Sequence, residues 1–434
     1  MAKVNASASD VSFEMLEYVT PVNVINLQDM FITLNIYESM FENCLTADML
    51  VNDSVNLPYK GPILGEEYLN FRLHSKAMEG AEGVEIWPPA MYTSSITDRH
   101  FTKDRQQLYM LHFVSELDLV NSHSTVSRSF RDKTIGEIVK IIFEEYVDLE
   151  DIYDLVVEET QGLETIIIPN WKPYQALNWL ASRARSVKDV PNYLFWESTN
   201  QLNFKSIELL LEQEDKLKFI YSPVALDSKK MEQLGRGRME LDDLKILSNF
   251  NMPKNIDDGY YASKLITHDI TKKTIWQHTY NLSDMYSKGI THTDKFMPIS
   301  NRPTDHTVPD RQSFAPTGIN DAEVAAENIQ GYYDSKIFMH AKHDFMYAKS
   351  PKDRYDNEVE RWKNIRNSLL HGLHQVKLQI QFPGMSYLRT GHCVDITVPS
   401  TERVVEEKPG AVSNPEDLID KYLSGRYLIT SLKH

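Results

Sequence analysis

The sequence predicts an α+β fold dominated by antiparallel strands. Three observations carry that reading. Segments with strict period-2 alternation fill the first hundred-odd residues, with no long helix between them. The period switches to that of amphipathic helices at Thr134. Alternation then returns, in its clearest form, after Val376.

In the opening region, Ile32, Leu34 and Ile36 alternate with Thr33 and Asn35, the pattern of a half-buried strand. Asp53, Asn56, Pro58, Gly61, Pro62 and Gly65 punctuate a loop. Tyr68–Leu73 and Leu108–Val114 alternate again. At Thr134, a cap threonine followed three residues later by Glu137 has the form of a capping box, and Ile138, Ile142 and Phe143 continue an apolar face to Tyr146. A second helix is predicted over Tyr174–Arg185, with Leu177, Leu180, Ala181 and Ala184 on one side. Tyr193–Trp196 and Leu202–Phe204 flank Glu197-Ser-Thr-Asn200 as a hairpin.

From Phe219 the pattern is strands and loops. Pro298, Pro303, Pro309 and Pro316 mark a long irregular segment over 298–318. Ser350, Pro351 and Asp353 have helix-start chemistry, with Tyr355, Val359, Trp362, Ile365 and Leu369 at helical spacing and Gly372 as the cap. Val376, Leu378, Ile380 and Phe382 alternate up to Pro383-Gly384, Val394, Ile396 and Val398 form a second strand, and Arg426–Leu432 a third. Three antiparallel strands after a capped helix predict a small closed or nearly closed barrel. The boundaries read as 1–125 (β), 126–215 (α+β) and 216–434 (β, with a loop and helix insertion around 285–372).

Composition bounds function. Length alone allows two to four domains for 434 residues. Apolar residues are 41% and aromatics 10%, enough for well-buried cores. The 62 Asp and Glu outnumber 46 Lys and Arg, for a net charge of −16, which disfavours phosphate binding. The two cysteines, Cys44 and Cys393, make no disulfide framework and suit a reducing cytoplasm. No secretory leader and no run of membrane-spanning length is read. His-Glu-x-x-His, Gly-x-Ser-x-Gly and Walker motifs are absent, and Gly235-Arg-Gly237-Arg238 does not open a nucleotide-binding unit. No catalytic residue and no cofactor is assigned. The metal candidates are His340 with His343 and His371 with His374, two pairs whose ordinary reading is polar surface. Eight acidic residues and no Lys or Arg occupy Glu144–Glu159, a run that reads first as a solvated face. Cys393 reads as a small buried strand residue.

The C-terminal motifs resemble those of a known family. Gln379–Gly384, Leu388-Arg-Thr-Gly391, Val394–Pro399 and Ser424–His434 are similar to the closing strands of baseplate hub ring proteins of contractile-tailed, T-even-like phages, and of the related late-control hubs and VgrG spikes. The residues that carry the resemblance are Gly384, Leu388, Gly391, Val394, Ile396, Val398, Gly425, Arg426, Tyr427, Leu428 and Ile429. It implies two tube-like β-barrel domains with an intervening α+β domain. It further implies a homotrimeric, pseudo-sixfold ring between the hexameric tail tube and the trimeric central spike, touching other baseplate proteins. The ring would leave a channel for DNA without specific binding or membrane insertion, in a virion tail assembled in the host cytoplasm. The resemblance also leads one to expect a further strand after His434, so that either the last barrel closes differently or a partner completes its edge. The alternatives are the hub of a phage-derived injection device and a tail-tip peptidoglycan hydrolase.

Overall fold

The computed structural model describes residues 11–61, 63–75, 84–86, 90–103, 105–199, 201–214, 217–221, 239–248, 251–282, 336–342, 358–382, 388–400, 419–420 and 423–434. Its fold is α+β and mainly antiparallel β. The first β unit comprises β1 (Val11–Val19), β2 (Val24–Asn26), β3 (Phe31–Ser39), β4 (Thr46–Asp53), the single-turn α1 (Leu57–Lys60), β5 (Tyr68–Ser75), β6 (Val84–Ile86), β7 (Met91–Lys103) and β8 (Gln106–Ser115). Its strands follow the order β2-β1-β5-β7-β8-β4-β3, with β6 on β5, every pairing antiparallel.

Alternation places one set of side chains inside. Ala47, Met49 and Val51 of β4, Leu69, Phe71 and Leu73 of β5, and Tyr109, Leu111 and Phe113 of β8 bury together around Leu16 and Tyr18. Among the described residues no ladder joins β2 to β3, so the sheet path is open. The turn between these two strands spans the gap instead: Leu27 N–H donates to Leu16 O at 3.0 Å, and Asn52 N–H to Met30 O at 2.8 Å. One expectation within β3 fails. A bulge between Phe31 and Thr33 shifts the register, so Phe31 packs on the core and Ile32 is half exposed.

The middle block comprises α2 (Glu116–His123), β9 (Val126–Lys133), α3 (Ile135–Ile142) with a π turn (Phe143–Val147), β10 (Asp154–Val157), β11 (Glu164–Trp171), α4 (Pro173–Arg183), β12 (Tyr193–Ser198), β13 (Gln201–Ser206) and α5 (Ile207–Leu211). The capping box forms in full, with Glu137 N–H donating to Thr134 Oγ1 and Thr134 N–H to Glu137 Oε2. Ile138, Ile142 and Phe143 bury against Leu177, Leu180, Ala181 and Ala184 of the second helical segment, and Tyr193, Phe195, Leu202 and Phe204 of the hairpin complete the core. The acidic run is mostly solvated: Glu144, Asp148, Glu150, Asp151 and Asp154 are exposed. Two of its members do structural work, since Glu145 pairs with Arg128 and Glu158 accepts from Ser206 N–H and Oγ at 2.6 and 3.0 Å.

The second half contains β14 (Leu217–Ile220), β15 (Met239–Glu240), β16 (Asp243–Ser248), α6 (Met252–Asp257), β17 (Ala262–Asp269), β18 (Thr274–Asn281), β19 (Lys336–Ala341), α7 (Val359–Leu373), β20 (Lys377–Gln381), β21 (Cys393–Thr397), β22 (Gly425–Leu428) and β23 (Ser431–Lys433). Two sheets, β15-β14-β21-β22 and β16-β20, enclose one apolar core built on Phe219, Leu241, Leu388, Val394 and Ile396. A third, β18-β17-β19, carries α7 on Leu265 and Phe338 through Val359 and Trp362. Arg366 of that helix, half-buried and with its pKa lowered by burial to about 10, donates to Ala181 O and Tyr193 O of the middle block.

Three expectations change here. The strands after α7 do not make one small barrel: β20 pairs with β16, β21 pairs with β14 and β22, and the last predicted strand splits after Leu428. Its second half, β23, pairs antiparallel with β3 of the first unit, so the C-terminal segment extends the opening sheet. Gly372 is not the helix cap; His374 is, and Gly372 lies inside the helix where an added Cβ would stand 3.3 Å from the Tyr260 ring. The segment 298–318, the Ser350 helix start, Gly235–Arg238 and Gly384 lie outside the described residues.

Candidate functional site

Two buried carboxylates, Glu38 and Glu197, lie where the β units meet the middle block. Strand parity puts Glu38 on the inward face of β3, two residues beyond Ile36, and it is 1% exposed. A carboxylate so placed needs donors for its lone pairs. Oε1 accepts from Thr199 Oγ1 at 2.9 Å and Thr199 N–H at 3.4 Å, at the turn of the β12–β13 hairpin. Oε2 accepts from Thr390 N–H at 3.2 Å and Oγ1 at 3.4 Å, in the segment leading to β21. Arg389 Nε stands 3.9 Å from Oε1. One side chain thus ties the first unit, the middle block and the second unit.

Around it the backbone is threaded tightly. Gly391 has φ +88°, and a Cβ there would lie 3.1 Å from Trp196 Cζ2. Gly391 N–H donates to Ile429 O at 2.8 Å, Ile429 N–H returns to His392 O at 2.9 Å, and Met40 N–H donates to Thr430 O at 2.9 Å. Met40, Trp196 and Leu210 bury together here with Leu194 and Leu428. Cys393 is fully buried and its thiol donates to Leu210 O at 3.2 Å. His434 pairs with Ile36 through both backbone groups, and burial lowers the pKa of its ring.

A second carboxylate, Glu197 on β12, fastens the first unit to the middle block. Its Oε2 accepts from Leu45 N–H at 2.8 Å and Ser115 Oγ at 2.6 Å. Asn43, on the same seam, donates to Asn178 Oδ1 and Phe195 O.

The motif residues named from sequence divide between these places. Leu388, Val394 and Ile396 are buried in the second β core, with Val398, Tyr427 and Ile429 packed against it. Leu428 packs at the junction, Gly391 forms its closest backbone approach, and Gly425 and Arg426 open β22 against Ile396 and Asp395. Glu38 and Glu197 escaped the sequence reading. The signal was present in Glu38, a charged residue at the inward parity of an alternating strand. Glu197 was read as loop, yet β12 continues through Ser198.

The histidines are dispersed. His340 on β19 meets the Trp362 ring edge-on at 6.3 Å, and burial with Arg183 and Lys363 nearby lowers its pKa. His371 Nδ1 is 4.0 Å from Asp258 Oδ2. His374 packs on Phe41 at 4.9 Å, its pKa lowered by burial. His343 lies outside the described residues, and among those described no three His, Cys, Asp or Glu side chains gather as a metal site.

No protein-family model matches the chain, and no curated protein matches it. Among solved structures it is similar to a tail protein from Neisseria meningitidis MC58, at 11% identity over 88% of this chain and 86% of that one, with a TM-score of 0.48. It is similar to the 43 kDa tail protein of prophage MuSo2 from Shewanella oneidensis, at 10% identity over 96% and 93%, TM-score 0.49. The prophage tail protein gp18 from Listeria monocytogenes EGD-e gives 10% identity over 97% and 90%, TM-score 0.44.

Proposed function

We propose that this chain is a non-enzymatic structural subunit of a contractile phage tail, a baseplate hub protein that forms a trimeric ring between tail tube and central spike. The observation that supports the reading most directly is the pair of β units with separate apolar cores, one built on Leu16, Tyr18 and Phe113 and the other on Phe219, Leu388 and Ile396. Two tube-like units per chain, repeated three times, present six similar surfaces to a sixfold tube and three to a threefold spike. The C-terminal motifs that resemble hub proteins hold these units together at Glu38 and Gly391. A subunit that bears load between two partners needs such internal fastening. The net charge of −16 suits a channel wall past which DNA slides without sticking. The ring assembles in the host cytoplasm and resides in the virion.

Negative-stain imaging and mass measurement of the purified chain at high concentration test the proposal. Rings of three subunits with an open centre are expected. Monomers alone, both by themselves and after co-expression with the spike protein, would overturn it. A zymogram on cell-wall substrate adds an independent check, since clearing by this chain would replace the structural role with a hydrolytic one.

A further inference from the structure

The Glu197 carboxyl is enclosed at the seam between the first β unit and the middle block, 1% exposed. Only one of its oxygens is served. Oε2 takes two donors, while Oε1 has no hydrogen-bond partner among the described residues. The Tyr153 hydroxyl, also enclosed, lies near enough to act on this carboxyl without meeting full hydrogen-bond geometry. The groups that act on this cluster come from every element around it: Glu38 of β3, Cys44 ahead of β4, Ser115 closing β8, Glu116 and Asp118 of α2, Tyr153 after the π turn and Tyr174 of α4. They are acids, phenols, a thiol and a hydroxyl. The bases of the junction, Arg389 and His434, act on Glu38.

A carboxylate in such a place lacks both a counter-ion and donors for half its lone pairs. The neutral acid fits better, because it carries no uncompensated charge into the seam and asks less of the unserved oxygen than a carboxylate does. We propose that Glu197 is a proton-operated joint: protonated, it lets the first β unit and the middle block close on each other, and ionised, it loosens that seam. The inference is independent of the tail assignment.

The energetics agree in direction. Burial raises the Glu197 pKa from 4.5 to about 7, Glu38 pushes the same way, and Ser115, the Leu45 N–H and Tyr153 pull down. The folded state therefore holds the proton more tightly than the open one. The contribution is fully present below about pH 4.5 and is lost as the pH rises through 7. A shift of this size changes the closing equilibrium on the order of a hundredfold.

Hydrogen exchange of the full chain from pH 5.5 to 8.5, corrected for intrinsic rates, reads this at the amides of residues 43–47 and 113–117. Protection there should fall by roughly one to two orders of magnitude around neutral pH. Glu197→Gln should give a flat profile. Tyr153→Phe keeps the titrating group but removes a hydroxyl that holds its pKa down, so the midpoint should move upward. A flat wild-type profile, or the same profile in wild type and Glu197→Gln, overturns the joint. Should Glu197→Gln fail to fold, an unmoved midpoint in Tyr153→Phe overturns it equally.

Discussion

Replacing Glu38 separates a three-way fastening from a merely buried charge. Four donors converge on its two oxygens, from the backbone and hydroxyl of Thr199 and of Thr390, with Arg389 behind them. An enclosed donor that loses its acceptor costs about 1–3 kcal/mol, and removing one partner of a buried charged pair about 3–5 kcal/mol. Because Thr199 lies near the surface turn of its hairpin, part of that loss is recovered by water. Glu38→Ala should then cost about 3–5 kcal/mol, a large share of the stability of an ordinary domain. Glu38→Gln keeps one acceptor oxygen but turns an N–H₂ toward a pair of donors, and should cost about 1–3 kcal/mol. Denaturant unfolding measures both, with the exposed Glu42→Ala as control. Hydrogen exchange at Thr199 and Thr390 supplies the decisive part. A fastening of three units predicts that both amides lose protection together. If Glu38→Ala costs no more than Glu42→Ala, or only one of the two amides opens, Glu38 does not join the units.

How far the sequence reached follows from what each residue can report on its own. Local signals were legible because they act over three or four residues. Thr134 and Glu137 satisfy each other's backbone in the capping box, and Leu69, Phe71 and Leu73 need only alternate to find the core. The bulge after Phe31 was not legible, since it depends on which residue of β4 lies opposite. Nor was the split of the last strand. Arg426–Leu432 carries no Gly or Pro to break it as a strand, and only the positions of β21 and β3 decide that its halves belong to different sheets. The junction shows the same limit. Gly391 announced a permissive backbone position, but its neighbour is Trp196, almost two hundred residues away in sequence. The C-terminal motifs lie in this stretch of chain. What that stretch does in the fold is set by long-range partners that no local pattern encodes.

The remaining predictions test the close approaches around this junction and the local structure beside it. Gly391→Ala combines a left-handed backbone with a Cβ 3.1 Å from Trp196, so it should destabilise by about 2–4 kcal/mol in denaturant unfolding, and a loss below 0.5 kcal/mol would refute the tight approach. Thr134→Ala removes one half of the capping box and should cost about 1 kcal/mol by the same measurement, with the junction amides unaffected in hydrogen exchange. The two cysteines give a reading that needs no variant. Cys393 is fully buried and bonded to Leu210 O, while burial and the carboxylates of Asp118 and Glu197 push the Cys44 thiol up to about 12. Only the thiolate attacks a disulfide reagent. At pH 8 the native chain should therefore label at neither cysteine on the timescale in which an unfolded chain labels at both. Titration with an aromatic disulfide reagent, before and after denaturant, counts them. Fast labelling of Cys44 in the native state would mean that the seam beside Glu197 is open at that pH, which the proton-operated joint predicts only if the rate, corrected for the thiolate fraction, falls on acidification, or if it falls in Glu197→Gln.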